Sequence, residues 1–297
     1  MDRHELAWAA GFFDGEGWAN RSGRGMQSRI NQADPDGVPD VLLRFQRVVG
    51  CGRIHGPVRE QGRQDLYYWD ATSRGDVDAV AKAIWPWLSD VKRSEFLTAL
   101  GHLPISEVGA PPRSELLAWA GGLYDGEGCA SLSPHRSHAG HFSPEVAVTQ
   151  SGNVRPQVLE RLREIVGCGR IYGPYTQAGA TLPVFRWKAA ALKDVEHSLY
   201  VLAPWIGHVK RQQARKVSRV LVEQGRLPRG KLAWGNRKTH CLRGHEYATA
   251  RIRPYVPRRG GTQRRDSEQC LVCVRDAARE RYWRHKKNRR TVRPPIG

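Results

Sequence analysis

LAWAAGFFDGEG at residues 6–17 and LAWAGGLYDGEG at residues 117–128 are nearly the same twelve-residue sequence. Two further pairs of segments repeat: VGCGRIHGP at 49–57 with VGCGRIYGP at 166–174, and PWLSDVKR at 86–93 with PWIGHVKR at 204–211. The offset between copies is 111 at the first pair and 117 or 118 at the later pairs. A repeat of this kind indicates that the first three quarters of the chain form two copies of one structural unit.

The apolar spacing predicts the same elements in each copy. After the motif, apolar residues recur at helical intervals, and each run ends at a glycine, Gly50 or Gly167, as expected for a left-handed C-terminal cap. The segments DLYYWDA at 65–71 and PVFRWKA at 183–189 have the composition of strands. Each copy is therefore predicted to run helix, hairpin, helix, hairpin, helix, with the extra residues of the second copy in a hairpin loop near residues 135–141.

The two copies of the last strand predict which strand face is buried, because alternate residues of a strand point to opposite sides. The matched apolar residues form one shared face: Tyr67, Trp69, Ala71, Phe185, Trp187 and Ala189. On the opposite face, Tyr68 and Asp70 of the first copy are replaced by Arg186 and Lys188. Halves with a common core and different exposed chemistry indicate a binding target with two related, unequal halves.

The repeated motif combines small residues for helix packing with an acidic turn. The small residues stand four apart: Ala7 with Gly11, and Ala118 with Gly122. This spacing lets two helices pack backbone against backbone. Each helix then runs into Asp-Gly-Glu-Gly, whose glycines allow the chain to turn with Glu16 or Glu127 at its tip.

Pairing of the two motif helices about a pseudo-twofold axis would bring Glu16 and Glu127 side by side. Neighbouring carboxylates repel each other, so either one of them holds a proton or divalent cations lie between them. Such cations could activate water and stabilise the leaving oxygen of a phosphodiester. The alternative is a helix cap and turn whose acids face solvent. Duplication of the whole motif, with the acid in both copies, favours the paired site.

Residues 1–225 resemble the LAGLIDADG homing endonucleases in their single-chain form, because motif, helix pattern and inter-motif spacing all agree. The resemblance implies an α+β fold of two pseudo-symmetric αββαββα halves, whose saddle-shaped antiparallel sheets lie in the major groove of double-stranded DNA. It also implies Mg²⁺ at Glu16 and Glu127, with the carbonyls of Gly15 and Gly126 as further ligands, and hydrolysis of one phosphodiester on each strand. The family more often has Asp at the acid, and glutamate keeps the carboxylate.

The same resemblance implies a basic residue and a polar strand-end residue near each scissile phosphate. Lys92 and Lys210, in the shared VKR, match the basic residue, and Gln32 and Gln150 are the candidates for the polar residue. The alternatives are solvated lysines at a helix start and ordinary strand glutamines. The candidates for contacts with base edges are polar or basic residues of the predicted sheets: Arg21, Arg24, Arg29, Arg59, Arg63, Arg186 and Lys188.

The composition changes from Arg226 onward to basic runs punctuated by Gly and Pro. Four potential metal ligands occur there in two close pairs: Cys241 with His245, and Cys270 with Cys273. Thiolates and an imidazole at these spacings can complete a tetrahedral Zn²⁺ site, and the segment resembles the small treble-clef-like zinc modules appended to nucleases of mobile elements. The alternatives are four unrelated residues or a redox pair.

The predicted domains are a first repeat at 1–103, a linker at 104–112, a second repeat at 113–225 and a basic zinc-binding module at 226–297. The composition, 40% hydrophobic and 26% charged, excludes a chain disordered throughout, and six cysteines are too few for a disulfide scaffold. No stretch has the length and apolarity of a membrane span, and the N-terminus lacks a signal-peptide pattern, so we expect a cytoplasmic monomer.

The predicted function is a site-specific, Mg²⁺-dependent DNA endonuclease that makes a double-strand break at a long, nearly palindromic target. The alternative is a non-cleaving binder on the same scaffold, either an RNA maturase or a transcription regulator. Retention of both acids and both lysines favours cleavage, because a binder has no need of paired negative charges facing phosphates.

The net charge of +19 is concentrated in the tail. Residues 226–297 contain 21 Lys+Arg and 5 Asp+Glu, whereas residues 1–225 contain 27 and 24. Counterion release on DNA binding should therefore come mainly from the tail. We expect deletion of residues 226–297 to weaken DNA binding and to flatten the dependence of log K on log salt, measured by fluorescence anisotropy. An unchanged slope would contradict tail contacts with phosphates.

Overall fold

The computed structural model describes residues 2–22, 25–59, 64–104, 109–135, 138, 140–176, 181–226, 252–254 and 268–270. The chain divides into two compact units, Met1–Gly235 and Asn236–Gly297. In the second unit, the described residues are two short antiparallel strands, β9 (Ile252–Pro254) and β10 (Glu268–Cys270). Within the described ranges, no helix is long and apolar enough to cross a membrane. The domain boundaries given above remain predictions.

The first unit consists of two halves with the same order of elements. The first half contains α1 (Arg3–Glu16), β1 (Gly17–Ser22), β2 (Gly25–Ala33), α2 (Asp40–Val49), β3 (Arg53–Val58), β4 (Leu66–Ala71), α3 (Arg74–Ile84) and α4 (Asp90–Leu100). The second half contains α5 (Arg113–Glu127), β5 (Gly128–Pro134), β6 (Phe142–Ser151), α6 (Gln157–Val166), β7 (Arg170–Tyr175), β8 (Val184–Ala189), α7 (Leu192–Leu202) and α8 (His208–Glu223). The strand orders β1-β2-β4-β3 and β5-β6-β8-β7 are equivalent, and every pairing is antiparallel. The predicted α+β fold of two pseudo-symmetric halves is confirmed.

Each sheet buries one face against its helices. The predicted face is confirmed, since Trp69 and Trp187 are fully buried and the other four residues of the set are at most 6% exposed. The predicted caps are also confirmed, because α2 and α6 end at Gly50 and Gly167 with φ of 73° and 79°. The insertion lies where expected: β1 and β2 are separated by two residues, whereas residues 135–141 separate β5 from β6.

The structure differs from the sequence prediction at the end of each half. The sequence predicted one helix there, whereas the structure has two, α3 and α4 in the first half and α7 and α8 in the second. In the first half, a short 3-10 turn at Trp85–Trp87 separates α3 from α4. Pro86 lacks the N–H that would continue α3, and Ser89 then caps α4 by accepting from the N–H of Lys92. In the second half, Pro204 lies in the turn between α7 and α8, and Gly207 precedes α8 without a side-chain cap. The break starts a new helix whose first turn carries Lys92 or Lys210.

The helices α1 and α5 join the two halves by close backbone contact. A Cβ added to Gly11 would lie 1.9 Å from the carbonyl oxygen of Trp119, and one added to Gly122 would lie 1.9 Å from that of Trp8. Only a glycine fits at either position. The small-residue packing expected from the motif is confirmed, and this contact determines where the two helices end relative to each other.

We expect Gly122→Ala to lower the free energy of unfolding by about 3 kcal/mol, because the methyl group must push a backbone oxygen and separate the helices. Gly75→Ala is the matched control, since its added Cβ would meet only Ser73 Oγ, at 3.9 Å, within α3. The control should be neutral or stabilising by up to about 1 kcal/mol. Urea unfolding followed by tryptophan fluorescence measures both, and equal effects would contradict the packing argument.

Candidate active site at the ends of the paired helices

The two motif glutamates meet at the ends of α1 and α5. A Cβ added to Gly15 would lie 3.2 Å from Cγ of Glu127, and one added to Gly126 would lie 2.8 Å from Cγ of Glu16. Each glutamate therefore packs on the glycine of the opposite motif. The sequence placed each glycine beside its own glutamate, whereas the structure also brings it to the glutamate of the other half. Two carboxyl groups and two backbone segments thus converge from both halves.

Both carboxyl groups are partly buried, and burial raises the pKa of each. For Glu127, burial and then the negative charge of Glu16 raise the pKa to about 8. Burial also raises the pKa of Glu16, opposed by the Gln32 side chain and the charge of Lys210. In the absence of a cation, Glu127 is therefore protonated at neutral pH, which is one of the two outcomes expected for paired acids.

Gln32 and Gln150 lie beside the two glutamates. Gln32 pairs with Tyr67, and Gln150 pairs with Phe185, so both point to the helix side of their sheets. Gln32 is close enough to lower the pKa of Glu16, and Gln150 lowers that of Glu127. Nε2 of Gln150 is nevertheless buried, with no partner in hydrogen-bond geometry among the described residues. The amide is available to a further group at the site.

The two lysines occupy equivalent positions with different partners. Lys210 Nζ donates to the carbonyl of Gly128 at 2.6 Å, and its charge lowers the pKa of both Glu16 and Glu127. Lys92 Nζ instead pairs with Glu95 Oε1 at 2.8 Å. The structure therefore brings Lys210 to the paired acids and holds Lys92 in an ion pair on α4.

The first acids of the motifs, Asp14 and Asp125, are buried and connect the paired helices. Trp119 Nε1 donates to Asp14 Oδ2 at 2.7 Å, and Trp8 Nε1 donates to Asp125 Oδ2 at 2.8 Å. Each hydrogen bond crosses from one half to the other. Burial raises the pKa of Asp125 to about 6, although hydrogen bonds from the backbone N–H of Gly207 and the indole of Trp8 oppose the rise. These hydrogen bonds give both aspartates a structural role at the helix interface, and no pattern in the sequence indicated their tryptophan partners.

The same aspartates also anchor the helices that carry the lysines. Asp14 accepts from N–H and Oγ of Ser89, at 3.0 and 2.7 Å, immediately before α4. Asp125 accepts from N–H of Gly207, at 2.7 and 2.8 Å, immediately before α8. A carboxylate at a helix N-terminus is stabilising because it complements the unpaired N–H groups there. The position of each lysine is thereby linked to the paired helices.

The open face of the first sheet has Asp70 at its centre. Its carboxylate accepts from Arg29 at 3.1 Å and Gln27 at 3.2 Å, and it lies 3.1 Å from His55 Nε2. The Arg29 guanidinium also stacks 4.2 Å above the ring of Tyr68. Arg29 is therefore held in a fixed position on this face. Its partners were not among the predicted site residues.

The open face of the second sheet has a basic residue at the position that is acidic in the first sheet. Glu145 forms ion pairs with both Arg186 and Lys188, and Lys188 occupies the position of Asp70. Among the other candidates, Arg59 forms an exposed pair with Asp65 at 3.5 Å. Arg21 pairs with Met26, which puts it in register with the helix side of the first sheet. Arg24 and Arg63 lie outside the described residues.

The zinc ligands remain a prediction. Cys241, His245 and Cys273 lie outside the described residues, and Cys270 is described only as the last backbone position of β10. In the described ranges, no group of three or more His, Cys, Asp or Glu residues is arranged to hold a metal ion. The comparisons below do not support a zinc-binding module either.

Solved LAGLIDADG homing endonucleases are similar in structure to this chain. The meganuclease I-AabMI, bound to uncleaved DNA, has a TM-score of 0.55 and 16% identity, over 76% of this chain and 93% of that chain. The meganuclease I-CpaMI, bound to uncleaved DNA, has a TM-score of 0.53 and 12% identity, over 76% and 93%. I-GzeII, in complex with its DNA target, has a TM-score of 0.51 and 16% identity, over 76% and 94%. The two halves match the fold of these proteins.

No protein-family model matches the sequence, and no curated protein matches it with statistical significance.

The raised pKa of Glu127 predicts a pH-dependent stability. Between pH 4.5 and about 8, the folded protein retains a proton that the unfolded chain releases, so stability falls as the pH rises through this window. We expect Glu127→Gln to be more stable than the natural protein in EDTA at pH 8, by about 2 kcal/mol or more. The difference should shrink toward pH 5. Denaturant titrations at several pH values test this, and a difference independent of pH would contradict it.

Proposed function

We propose that the protein is a site-specific, divalent-metal-dependent DNA endonuclease that cuts both strands of a long, pseudo-palindromic target. The observation that carries the proposal is the convergence of Glu16 and Glu127 at the junction of two equivalent sheets, with Lys210 beside them. A second active half is already part of the chain, so the protein is proposed to act as a monomer.

The paired carboxylates suit Mg²⁺. This ion takes oxygen ligands and is usually held by one or two carboxylates, with waters and substrate phosphates completing the octahedron. Glu16 and Glu127 would hold it, with the carbonyls of Gly15 and Gly126 as further oxygen donors. Burial beside Glu16 makes ionised Glu127 costly without a cation, so the site favours a positive ion. When bound, Mg²⁺ would activate water and stabilise the charge of the leaving oxygen.

The side chains around the acids have separate proposed roles. The ammonium of Lys210 offsets negative charge at the reacting phosphate, and Lys92 has the equivalent role in the other half. The unpaired amide of Gln150 can donate to a phosphate oxygen or a water, and Gln32 has the matching position beside Glu16. The glutamines lie near the ends of β2 and β6, and the lysines lie in the first turns of α4 and α8.

The open sheet faces are the proposed DNA-reading surfaces. Arginine recognises guanine through its paired donors, and ion pairs that hold Arg29 and Arg186 reduce the entropy lost when they contact a base. Because Asp70 and Lys188 occupy equivalent positions with opposite charge, the two halves would read unequal half-sites. Two of the similar structures named above were solved with uncleaved DNA and one with its DNA target, which supports this role for the scaffold.

A non-cleaving RNA maturase or transcription regulator on the same scaffold is the alternative. The paired acids argue against it. Placing two carboxyl groups side by side and partly burying them is unfavourable, as the raised pKa of Glu127 shows. A binder that holds no cation has no use for this arrangement, whereas a metal-dependent nuclease does.

Cleavage tests the proposal directly. DNA that carries the insertion locus of the gene, or duplexes selected from a random library by binding, should be cut with Mg²⁺ and remain intact in EDTA. We expect Glu16→Gln and Glu127→Gln each to slow cleavage at least about 100-fold while DNA binding in EDTA is retained. Glu160→Gln, a surface acid on α6 paired with Arg155 and Arg163, is the control. Equal cleavage by all variants would contradict the assignment.

A further inference from the structure

The two lysines predicted for the active site have different contact partners, and comparison of the two copies shows which substitution causes the difference. Lys92 and Lys210 stand in the first turns of α4 and α8, at an offset of 118 residues. Three residues further along each helix, the first half has Glu95 and the second half has Gln213. This spacing puts the side chains of a helix next to each other. The repeat therefore contains a natural charge substitution beside an otherwise matched lysine.

Glu95 makes two contacts that hold it against its own half. Its Oε1 accepts from Lys92 Nζ at 2.8 Å, and its Oε2 accepts from the N–H of Ala19 on β1 at 3.1 Å. The side chain of Lys92 is 15% exposed and that of Glu95 is 28% exposed. A partly buried ion pair anchored to the backbone at its other oxygen is held more firmly than a pair on the open surface.

Gln213 cannot form the equivalent ion pair with Lys210. Its Oε1 is buried without a hydrogen-bond partner among the described residues. Lys210 instead donates to the carbonyl of Gly128, the first residue of β5, directly after Glu127. The ammonium thus lies on the backbone next to the paired acids, and its charge reaches both of them. One lysine is already at the acids, and the other is neutralised by a carboxylate.

We propose that the two active halves work at unequal rates, that the half with Lys210 cuts its strand first, and that Glu95 delays the cut that depends on Lys92. The proposal rests on the endonuclease function proposed above. An ammonium held by a carboxylate has to leave it before it can face a phosphate, and the carboxylate itself repels that phosphate. The DNA therefore passes through a nicked intermediate before the double-strand break. Glu95 is a positioning residue, because it acts through Lys92.

Strand-specific cleavage tests the proposal with a reciprocal pair of variants in the full-length protein. A supercoiled plasmid that carries one target shows nicked and linear products, and end-labelled duplexes give the rate for each strand with Mg²⁺. Glu95→Gln reproduces the chemistry of the other half and keeps an oxygen to accept from Ala19. We expect it to speed the slower strand about tenfold and to leave the faster strand within about twofold, so that less nicked DNA accumulates. Gln213→Glu should slow the faster strand.

Two controls separate this effect from a general change of charge or stability. Asp90→Asn removes a negative charge from the same helix turn, where Asp90 is 79% exposed and pairs with Arg93 rather than Lys92. It should leave both strand rates unchanged, and thermal unfolding should show that all variants fold. Equal strand rates in the natural protein, or Glu95→Gln without effect on the slower strand, would overturn the proposal. Complete absence of Mg²⁺-dependent cleavage would instead overturn the proposed function and this inference with it.

Discussion

The close packing of α1 against α5 at Gly11 and Gly122 is the constraint on which the rest of the structure depends. At this crossing, each helix backbone lies against the other so closely that an added methyl group would overlap a carbonyl oxygen. Because the crossing lies less than two turns from the ends of α1 and α5, it also determines how the chains leave the interface. Glu16 and Glu127 follow within five residues, and each packs on the opposite glycine. A larger residue at the crossing would separate the carboxyl groups.

Buried polar groups extend this constraint outward. Asp14 and Asp125 each receive an indole hydrogen bond from the opposite half and a backbone hydrogen bond from the start of the lysine-bearing helix. A buried carboxylate is costly unless such donors surround it. The paired helices and the starts of α4 and α8 therefore stabilise one another. Arg44 and Arg161, which occupy matched positions, stack on Trp8 and Trp119 at 3.9 and 4.1 Å and complete both networks.

The two halves preserve their apolar framework and differ in their polar residues. Trp69 and Trp187 fill equivalent core positions, yet Asp70 on one open face corresponds to Lys188 on the other. The same pattern holds at the helix starts, where Glu95 corresponds to Gln213. Core positions tolerate few changes because interiors are close-packed, whereas exposed positions can change charge without loss of the fold. A duplicated scaffold can thus carry two chemically distinct surfaces.

The sequence by itself determined the duplication, the strand faces and the glycine caps, and it supplied the acids, glutamines and lysines as candidates for the site, because each leaves a local pattern or a match between copies. Only the tertiary structure decided how these residues meet. The crossed packing of each glutamate on the opposite glycine, the indole bonds to Asp14 and Asp125, and the unequal partners of Lys92 and Lys210 join distant segments. Periodicity reports which side of an element is buried, but it contains no information about which distant group will lie there.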